Sequence, residues 1–294
     1  MPSDPSQINS DPSQINNGAK RASLTVSVLQ MCSGIDLTAN TARVLDGIHQ
    51  ACDEGANIVA TPEMTTLVDQ DAERLKTAVP VGEAVTEFAQ VAKDRGIWLI
   101  IGSMVVKDQT GKLANRCFVF SPDGQIAARY DKLHMFDVSL PNGEKWRESS
   151  VYTPGERAVL LDIGATKVGL TICYDLRFPS LFRRLAQHGA EVFFVPAAFT
   201  RPTGKSHWEI LLRARAIETG AFVVAPAQGG KHEDGRETYG HSMIIDPWGD
   251  ILAHKNDDQP GLITAELVLD RSVDVRHRIP NLSLERDFEI YTSE

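Results

Sequence analysis

The chain has 294 residues, 42% of them hydrophobic, and its 30 Lys and Arg face 39 Asp and Glu for a formal net charge of -9. That length suits a single large α/β domain, and the acidic balance argues against nucleic acid as a partner, because phosphate binding needs clustered Lys and Arg. No apolar run approaches the roughly 18 residues of a membrane-spanning helix and no signal-peptide core opens the chain; the four cysteines, Cys32, Cys52, Cys117 and Cys173, lack CxxC spacing, so free thiols in a reducing cytoplasm are expected.

Residues 1–22 read as a tail: SDPSQIN at 3–9 is repeated at once at 10–16, with only Ile8 and Ile15 apolar in the pair. Such Pro-, Ser- and Gln-rich composition does not support a packed core, so the folded domain is expected over 23–294. Strand-like runs follow at 23–30, 56–61, 98–105, 115–121, 125–130, 159–163, 167–173, 192–197, 222–227, 241–246 and 262–267, each rich in β-branched or aromatic residues. Helical stripes lie between some of them. Leu37, Val44, Ile48 and Cys52 form one; Val85, Phe88, Ala89 and Ala92 form another, stopped by Gly96; Leu181, Leu185 and Ala186 form a third, stopped by Gly189; Trp208, Leu211 and Leu212 begin a fourth. PDG at 122–124 and PWGD at 247–250 are tight reversals. Runs such as NIVAT and VFFVP are apolar on both faces, which requires cover on both sides of a sheet. A doubly wound sheet and two packed sheets with helices outside both meet that demand.

Cys173 ends the run KVGLTIC, just ahead of a turn and a helix opened by Pro179. With period-two alternation Val168, Leu170 and Ile172 share one face and Gly169, Thr171 and Cys173 the other. A thiol held at a strand end reaches the loop region where ligands bind in α/β folds, though free Cys is also a common buried structural residue. Two further runs end in charged groups: NIVATPE in Glu63, and QIAARYDK in Lys132. A carboxylate can take a thiol proton and return it to a leaving amine, and an ammonium lowers a thiol pKa and stabilises an oxyanion. Singly, each is more often a solvated loop charge, and only the combination carries information.

Together these motifs resemble the nitrilase superfamily of carbon-nitrogen hydrolases. The likeness runs from about residue 24 to the C-terminal end, through Glu63 in TPEM, Lys132 in YDKLHMFDV, Glu148 in WRESSVYTPG and Cys173 in TICYDLRFP. PAAFTRPTGKSHWEILLRARAIE and YGHSMIIDPWGDILA are similar to the branch of deaminated-glutathione amidases and ω-amidases, and the stretch from Ala225 to Gly249 is nearer the former. Ala197, where relatives commonly have Ser, and Pro226, in a usually Ala-rich strand, depart from the pattern. Tyr174 and Asp175 follow the cysteine, where true nitrilases carry Trp-Glu.

The resemblance implies a four-layer αββα sandwich in a single domain, pairing into a homodimer or higher homo-oligomer, without cofactor or metal. It implies a cysteine-dependent amidase that forms a thioester and releases ammonia, with Cys173 as nucleophile, Glu63 as base and acid, Lys132 and the Tyr174 N–H as oxyanion donors, and Glu148 positioning Lys132 or the incoming group. Deaminated glutathione is the expected substrate. α-Ketoglutaramate, another amide or carbamoyl compound, or a non-catalytic scaffold of the same fold are the alternatives. Arg177 is the candidate carboxylate ligand, with an ion pair to Asp175 as its structural reading, and Phe199 and Thr203 are candidate pocket residues. Arg213 and Arg215 cannot share a helix face, so at most one should point at the site. Lys231 and His232 read as a solvated or gating loop. His134, His207, His241 and His254 appear isolated, with no HxxxH or HExxH spacing.

Overall fold

The structure, a computed structural model, describes residues 21–77, 82–107, 111–141 and 143–293. The duplicated SDPSQIN lies outside them. Arg21, assigned by composition to the tail, is tied down by Glu191, at 2.7 and 2.9 Å, and by the Ala165 carbonyl.

Every apolar run forms a strand. The first half of the chain gives β1 (Ser23–Gln30), helix α1 (Leu37–Asp53), β2 (Ile58–Ala60), α2 (Ala72–Thr77), α3 (Gly82–Arg95), β3 (Trp98–Lys107), β4 (Leu113–Phe120) and β5 (Ile126–Asp131). A small hairpin of β6 (Asp137–Ser139) and β7 (Lys145–Arg147) follows. The second half gives β8 (Val159–Asp162), β9 (Lys167–Leu170), α4 (Pro179–Gln187), β10 (Val192–Phe194), α5 (Arg201–Thr219) and β11 (Phe222–Ala225). The hairpin β12 (Gly229–Lys231) and β13 (Glu237–Tyr239), then β14 (Met243–Ile245), β15 (Ile251–His254), β16 (Gly261–Val268) and α6 (Asp270–Arg278) complete it.

Two six-stranded sheets result, in the orders β16-β1-β2-β3-β4-β5 and β15-β14-β11-β10-β9-β8. β16 returns to pair antiparallel along the whole of β1, from Ser23 against Val268 to Gln30 against Gly261. The doubly apolar strands settle the choice left open by pattern alone. In β2, Ile58 and Ala60 join the cluster shared with Val168, Leu170 and Val224 of the second sheet, whereas Val59 joins the cluster of Val44 and Ile48 of α1 and Phe88 of α3. With α4 and α5 packed on the other sheet, this is an αββα sandwich in one domain.

Two elements differ from their sequence reading. The strand expected over 167–173 ends at Leu170, because its partner chain reaches Pro196, which has no N–H to donate back. The Cys173 N–H still bonds the Pro196 carbonyl at 2.8 Å, but Cys173 itself turns to φ 50° and opens a 3-10 turn over Cys173–Arg177. Helix α5 starts at Arg201, ahead of the apolar stripe, with Pro202 in its first turn, where a missing N–H costs nothing.

The two halves of the sandwich meet at Gly102 without a side chain from that residue between them. A Cβ there would lie 2.1 Å from the Thr61 carbonyl oxygen, 2.4 Å from the Pro196 Cβ and 2.5 Å from the Pro62 carbonyl oxygen. Gly102→Ala is therefore expected to lower stability by about 1–3 kcal/mol in urea titrations, as overpacking does, and to depress turnover by parting the Glu63 and Pro196 loops. Wild-type values for both would show that the two loops yield independently.

Candidate active site

Four chain segments converge at this seam. Glu63 stands beyond β2 on a turn fixed by the Thr61 hydroxyl, which hydrogen-bonds Thr65 at 2.7 Å and accepts from the Gly102 N–H at 3.0 Å. Met64 beside it sits at φ 54°. Lys132 follows β5, its backbone N–H on the Asn115 carbonyl at 3.0 Å and its own carbonyl accepting from Gly155 at 2.8 Å. Glu148 opens a 3-10 turn after β7. Cys173 comes from the other sheet. Non-glycine residues in the left-handed region cost about 1–3 kcal/mol each and gather at active sites; Met64 and Cys173 flank or form the reactive groups, while the third, His241, does not line this cavity.

The side chains make one network. Lys132 Nζ donates to Glu63 Oε1 at 2.9 Å and to Glu148 Oε1 and Oε2 at 2.9 and 2.8 Å. Asn115 Nδ2 bridges the same carboxylates at 2.9 and 3.3 Å, the Ala198 N–H donates to Glu63 Oε2 at 2.9 Å, and the Phe136 N–H donates to Glu148 Oε2 at 2.6 Å. The Lys132 side chain is only 2% exposed and that of Glu63 5%. Burial pushes the Glu63 carboxyl up, but the Lys132 ammonium, with the hydrogen bonds from Lys132, Cys173 and Asn115, holds it below its ordinary value. Burial pushes Lys132 down, and the Glu148 and Glu63 carboxylates hold it well above its ordinary value. Burial and then the Glu63 charge push the Cys173 thiol well up, with Lys132 only partly opposing them. The resting site is therefore a neutral thiol beside an ionised carboxylate and an ammonium.

Asp175 fixes the turn that carries the thiol. Fully buried, it accepts from the Ile172 N–H at 2.8 Å, from the Tyr130 hydroxyl at 2.6 Å and from the His134 N–H at 3.1 Å, with His134 Nδ1 at 2.6 Å. Burial and the Asp175 charge push the Tyr130 phenol well up, so it remains a donor. Tyr130 lies on β5, beside Lys132. One carboxylate thus locks the Cys173 turn of one sheet to the Lys132 strand of the other. The expected Asp175–Arg177 ion pair is replaced by these contacts.

A cavity of about 270 Å³ opens over the network, lined among others by Glu63, Lys132, Glu148, Cys173, Tyr174, Phe199 and Thr203. Arg177 does not line it: its Nη2 lies 3.2 Å from His207 Nδ1 and its guanidinium 5.6 Å from the Phe199 ring centroid. The backbone N–H of Tyr174 has no hydrogen-bond partner among the described residues.

A family model for carbon-nitrogen hydrolases matches residues 25–277. The chain belongs to the carbon-nitrogen hydrolase family. It is 42% identical to a deaminated glutathione amidase of Synechocystis over 261 residues, covering 87% of this chain and 96% of that protein. It is 34% identical to an omega-amidase of Mus musculus over 261 residues, covering 87% of this chain and 92% of that one. The crystal structure of the C. elegans NitFhit protein superposes with a TM-score of 0.85 at 33% identity, covering 91% of this chain and 66% of that chain. These relatives place it in the nitrilase superfamily, among amidases.

In this carbon-nitrogen hydrolase the structure brings Glu63, Lys132 and Cys173, singled out at strand ends, into one network; Asn115 is missed by that reading, and Asp175 enters it only as a partner for Arg177. Asn115 stands beside Arg116 in a strand whose other residues are apolar, and nothing local reveals which charges it bridges. Arg215 faces the back of the site: buried, it donates to the Leu176 carbonyl at 3.0 and 2.8 Å, while Arg213 donates to the Gly249 carbonyl. His232, read as part of a loop, is buried between the Ser33 carbonyl at 2.8 Å and the Thr238 hydroxyl at 2.7 Å. His241 and His254 are not isolated, their nitrogens lying 3.4 Å apart. Among the described residues no group of three or more His, Cys, Asp or Glu is placed to hold a metal ion, and no helix is long and apolar enough to cross a membrane.

Removing the ammonium should strand the carboxylates. Lys132→Met is expected to cost about 3–5 kcal/mol, as breaking a buried pair does. In that variant burial, the largest influence on Glu63, outweighs the remaining hydrogen bonds from Cys173 and Asn115 and raises its folded pKa above the unfolded value near 4.3, so its contribution is present at low pH and lost as pH rises through the raised value. Urea titrations should find the variant more stable at pH 5 than at pH 8. Wild-type Glu63, with its pKa held down, follows the opposite sign and loses its contribution only below the ordinary carboxylate range.

Proposed function

We propose that Cys173 attacks the amide carbonyl of a small carboxylate-bearing substrate and carries the acyl group as a thioester. The observation that carries this reading is the single network joining Glu63, Lys132 and Glu148 beside the Cys173 thiol in one cavity. Because the thiol rests neutral, the proton passes to Glu63 as the carbon–sulfur bond forms. Lys132 and the unpaired Tyr174 N–H receive the oxyanion. Glu63 then returns the proton to the leaving nitrogen as the carbon–nitrogen bond breaks, and next takes a proton from the water that cleaves the thioester and frees the thiol. Glu148 and Asn115 hold Lys132 and Glu63 in register. A scaffold would have no use for two buried carboxylates on one ammonium beside a strained thiol.

Deaminated glutathione is the proposed substrate, supported by the Synechocystis relative, with α-ketoglutaramate as the second reading, supported by the mouse omega-amidase. The two differ in leaving group. α-Ketoglutaramate, a primary amide, gives ammonia, whereas deaminated glutathione is cleaved at a peptide-like amide and gives a peptide amine, which corrects the expectation of ammonia for that substrate. Phe199 and Thr203 form part of the proposed substrate wall; Arg177 joins it only by swinging past Phe199. We also propose a homodimer through the face where Ile210 and Ile217 of α5, Trp248 and Val273 of α6 are 47–70% exposed. The four free cysteines support a reducing cytoplasm.

Acid-quenched intact-mass measurement during turnover should show one acyl adduct, absent in Cys173→Ala. Lys132→Met should lower kcat by about 10²–10³-fold. Product release from deaminated glutathione, α-ketoglutaramate and a simple nitrile should rank the substrates. Full activity of Cys173→Ala would sink the assignment.

A further inference from the structure

Three cations of the cavity wall, Lys145, Arg147 and Arg236, have no part in that reaction, and Arg236 is the one held by a buried carboxylate. Arg236 stands at the turn into β13, and its guanidinium is fixed: Nε and Nη2 donate to Asp234 Oδ2 at 3.0 and 2.8 Å, and Cζ lies 5.8 Å from the Trp146 ring centroid. Asp234 also accepts from the Arg236 backbone N–H at 2.9 Å, and its side chain is 2% exposed. The turn itself is anchored by the buried His232. Nη1 makes no hydrogen bond among the described residues, so a rigid pair of N–H donors remains for whatever enters the cavity.

The acids along the same wall are already occupied. Asp69 takes Arg74 at 2.6 Å and Glu237 takes Arg201 at 2.9 Å. An incoming anion therefore meets Arg236 without an unpaired carboxylate beside it. A continuous aromatic wall leads there from the nucleophile: Tyr174 to Phe136 with centroids 5.1 Å apart, Phe136 to Trp146 at 6.1 Å, and then Arg236. Arg236 also faces Asp69 and Tyr152, on the side of the cavity formed by the Glu63 loop. In the reaction proposed above Glu63 protonates the leaving nitrogen, so a leaving group that extends along this side of the cavity comes to Arg236.

We propose that Arg236 binds a carboxylate carried by the leaving amine, which makes the enzyme selective for amides of amino acids or short peptides with a free C-terminal acid. The proposal rests on the amidase reading above and adds to it a determinant of the leaving group. A primary amide, whose leaving group is ammonia, cannot use this contact.

Three substrates test it: deaminated glutathione, the same compound with its C-terminal carboxylate converted to an amide, and α-ketoglutaramate. Wild type is expected to lose about 10–100-fold in kcat/KM when that carboxylate is amidated, the range of a charge-assisted hydrogen bond in a partly buried site. Arg236→Lys, which keeps a cation for Asp234, should lower kcat/KM on deaminated glutathione about ten-fold relative to α-ketoglutaramate, chiefly through KM. The double variant Arg236→Met with Asp234→Asn, which leaves no buried charge unpaired, should abolish the discrimination between acid and amide. Equal turnover of acid and amide by wild type overturns the role of Arg236, as does a Lys145→Ala variant that alone abolishes the discrimination. A wild-type protein inert on all three, with no adduct on Cys173, overturns the amidase reading and this proposal with it.

Discussion

A lysine ammonium removed from water sets the terms for the whole site. Lys132 is tolerable in the interior because Glu63 and Glu148 both accept from it, and those carboxylates are tolerable because Lys132, Asn115 and two backbone N–H groups satisfy them. Two anions and one cation leave a local excess of negative charge. Any further ionisation there is opposed. The thiol next to the cluster therefore stays protonated, and the usual route to a reactive cysteine, a depressed pKa, is closed. The alternative is a base already in position. Glu63 is ionised and in contact with the thiol, so the proton can move while the new bond forms and no free thiolate need accumulate.

Such an arrangement demands positional precision from both halves of the sandwich. Glu63 and Lys132 stand past strands of one sheet, Glu148 on a turn beyond them, and Cys173 past a strand of the other, so a small shift between sheets would separate nucleophile from base. The fold resists that shift at two points. Gly102 lets the Thr61–Pro62 backbone pack directly on Pro196, and Asp175 pins the nucleophile turn to Tyr130 and His134. The φ of 50° at Cys173 is the local consequence: the ladder ends where Pro196 lacks a donor, and Asp175 captures the N–H of Ile172 instead. Strain at Cys173 is held in place by the local Ile172 N–H together with the Tyr130 and His134 donors, on and just past β5 of the opposite sheet.

These causes explain what could be read from the chain and what could not. Apolar runs give strands because burial on one or both faces is a local property, and both-sided burial in NIVAT and VFFVP already called for more than two layers. A charged or thiol group at the end of such a run is also visible, which is why Glu63, Lys132 and Cys173 stood out. Pairing is a different matter. Asp175 looked like a partner for Arg177 because they are close in sequence, but a buried carboxylate is satisfied by whatever the fold brings to it, here Tyr130 and His134. His232 followed the same logic, since KHEDG looks like a solvated loop until Ser33 and Thr238 close around the ring. Arg236 was legible only as one charge in a mixed run.

The chemistry of the cavity wall follows from the same constraint as its centre. A site with excess negative charge at the reacting atoms should repel an anionic substrate, yet both substrates proposed above carry a carboxylate. Placing the compensating cation beside the thiol would undo the balance that keeps Glu63 ionised and Lys132 fully occupied. A cation at a distance, with its own counter-ion fixed behind it, avoids this. Arg236 has that form: Asp234 offsets its long-range field, while its Nη1 makes no hydrogen bond among the described residues and its side chain lines the cavity. Recognition by directional donors instead of net charge lets the far end of the cavity select a carboxylate without disturbing the protons at Cys173.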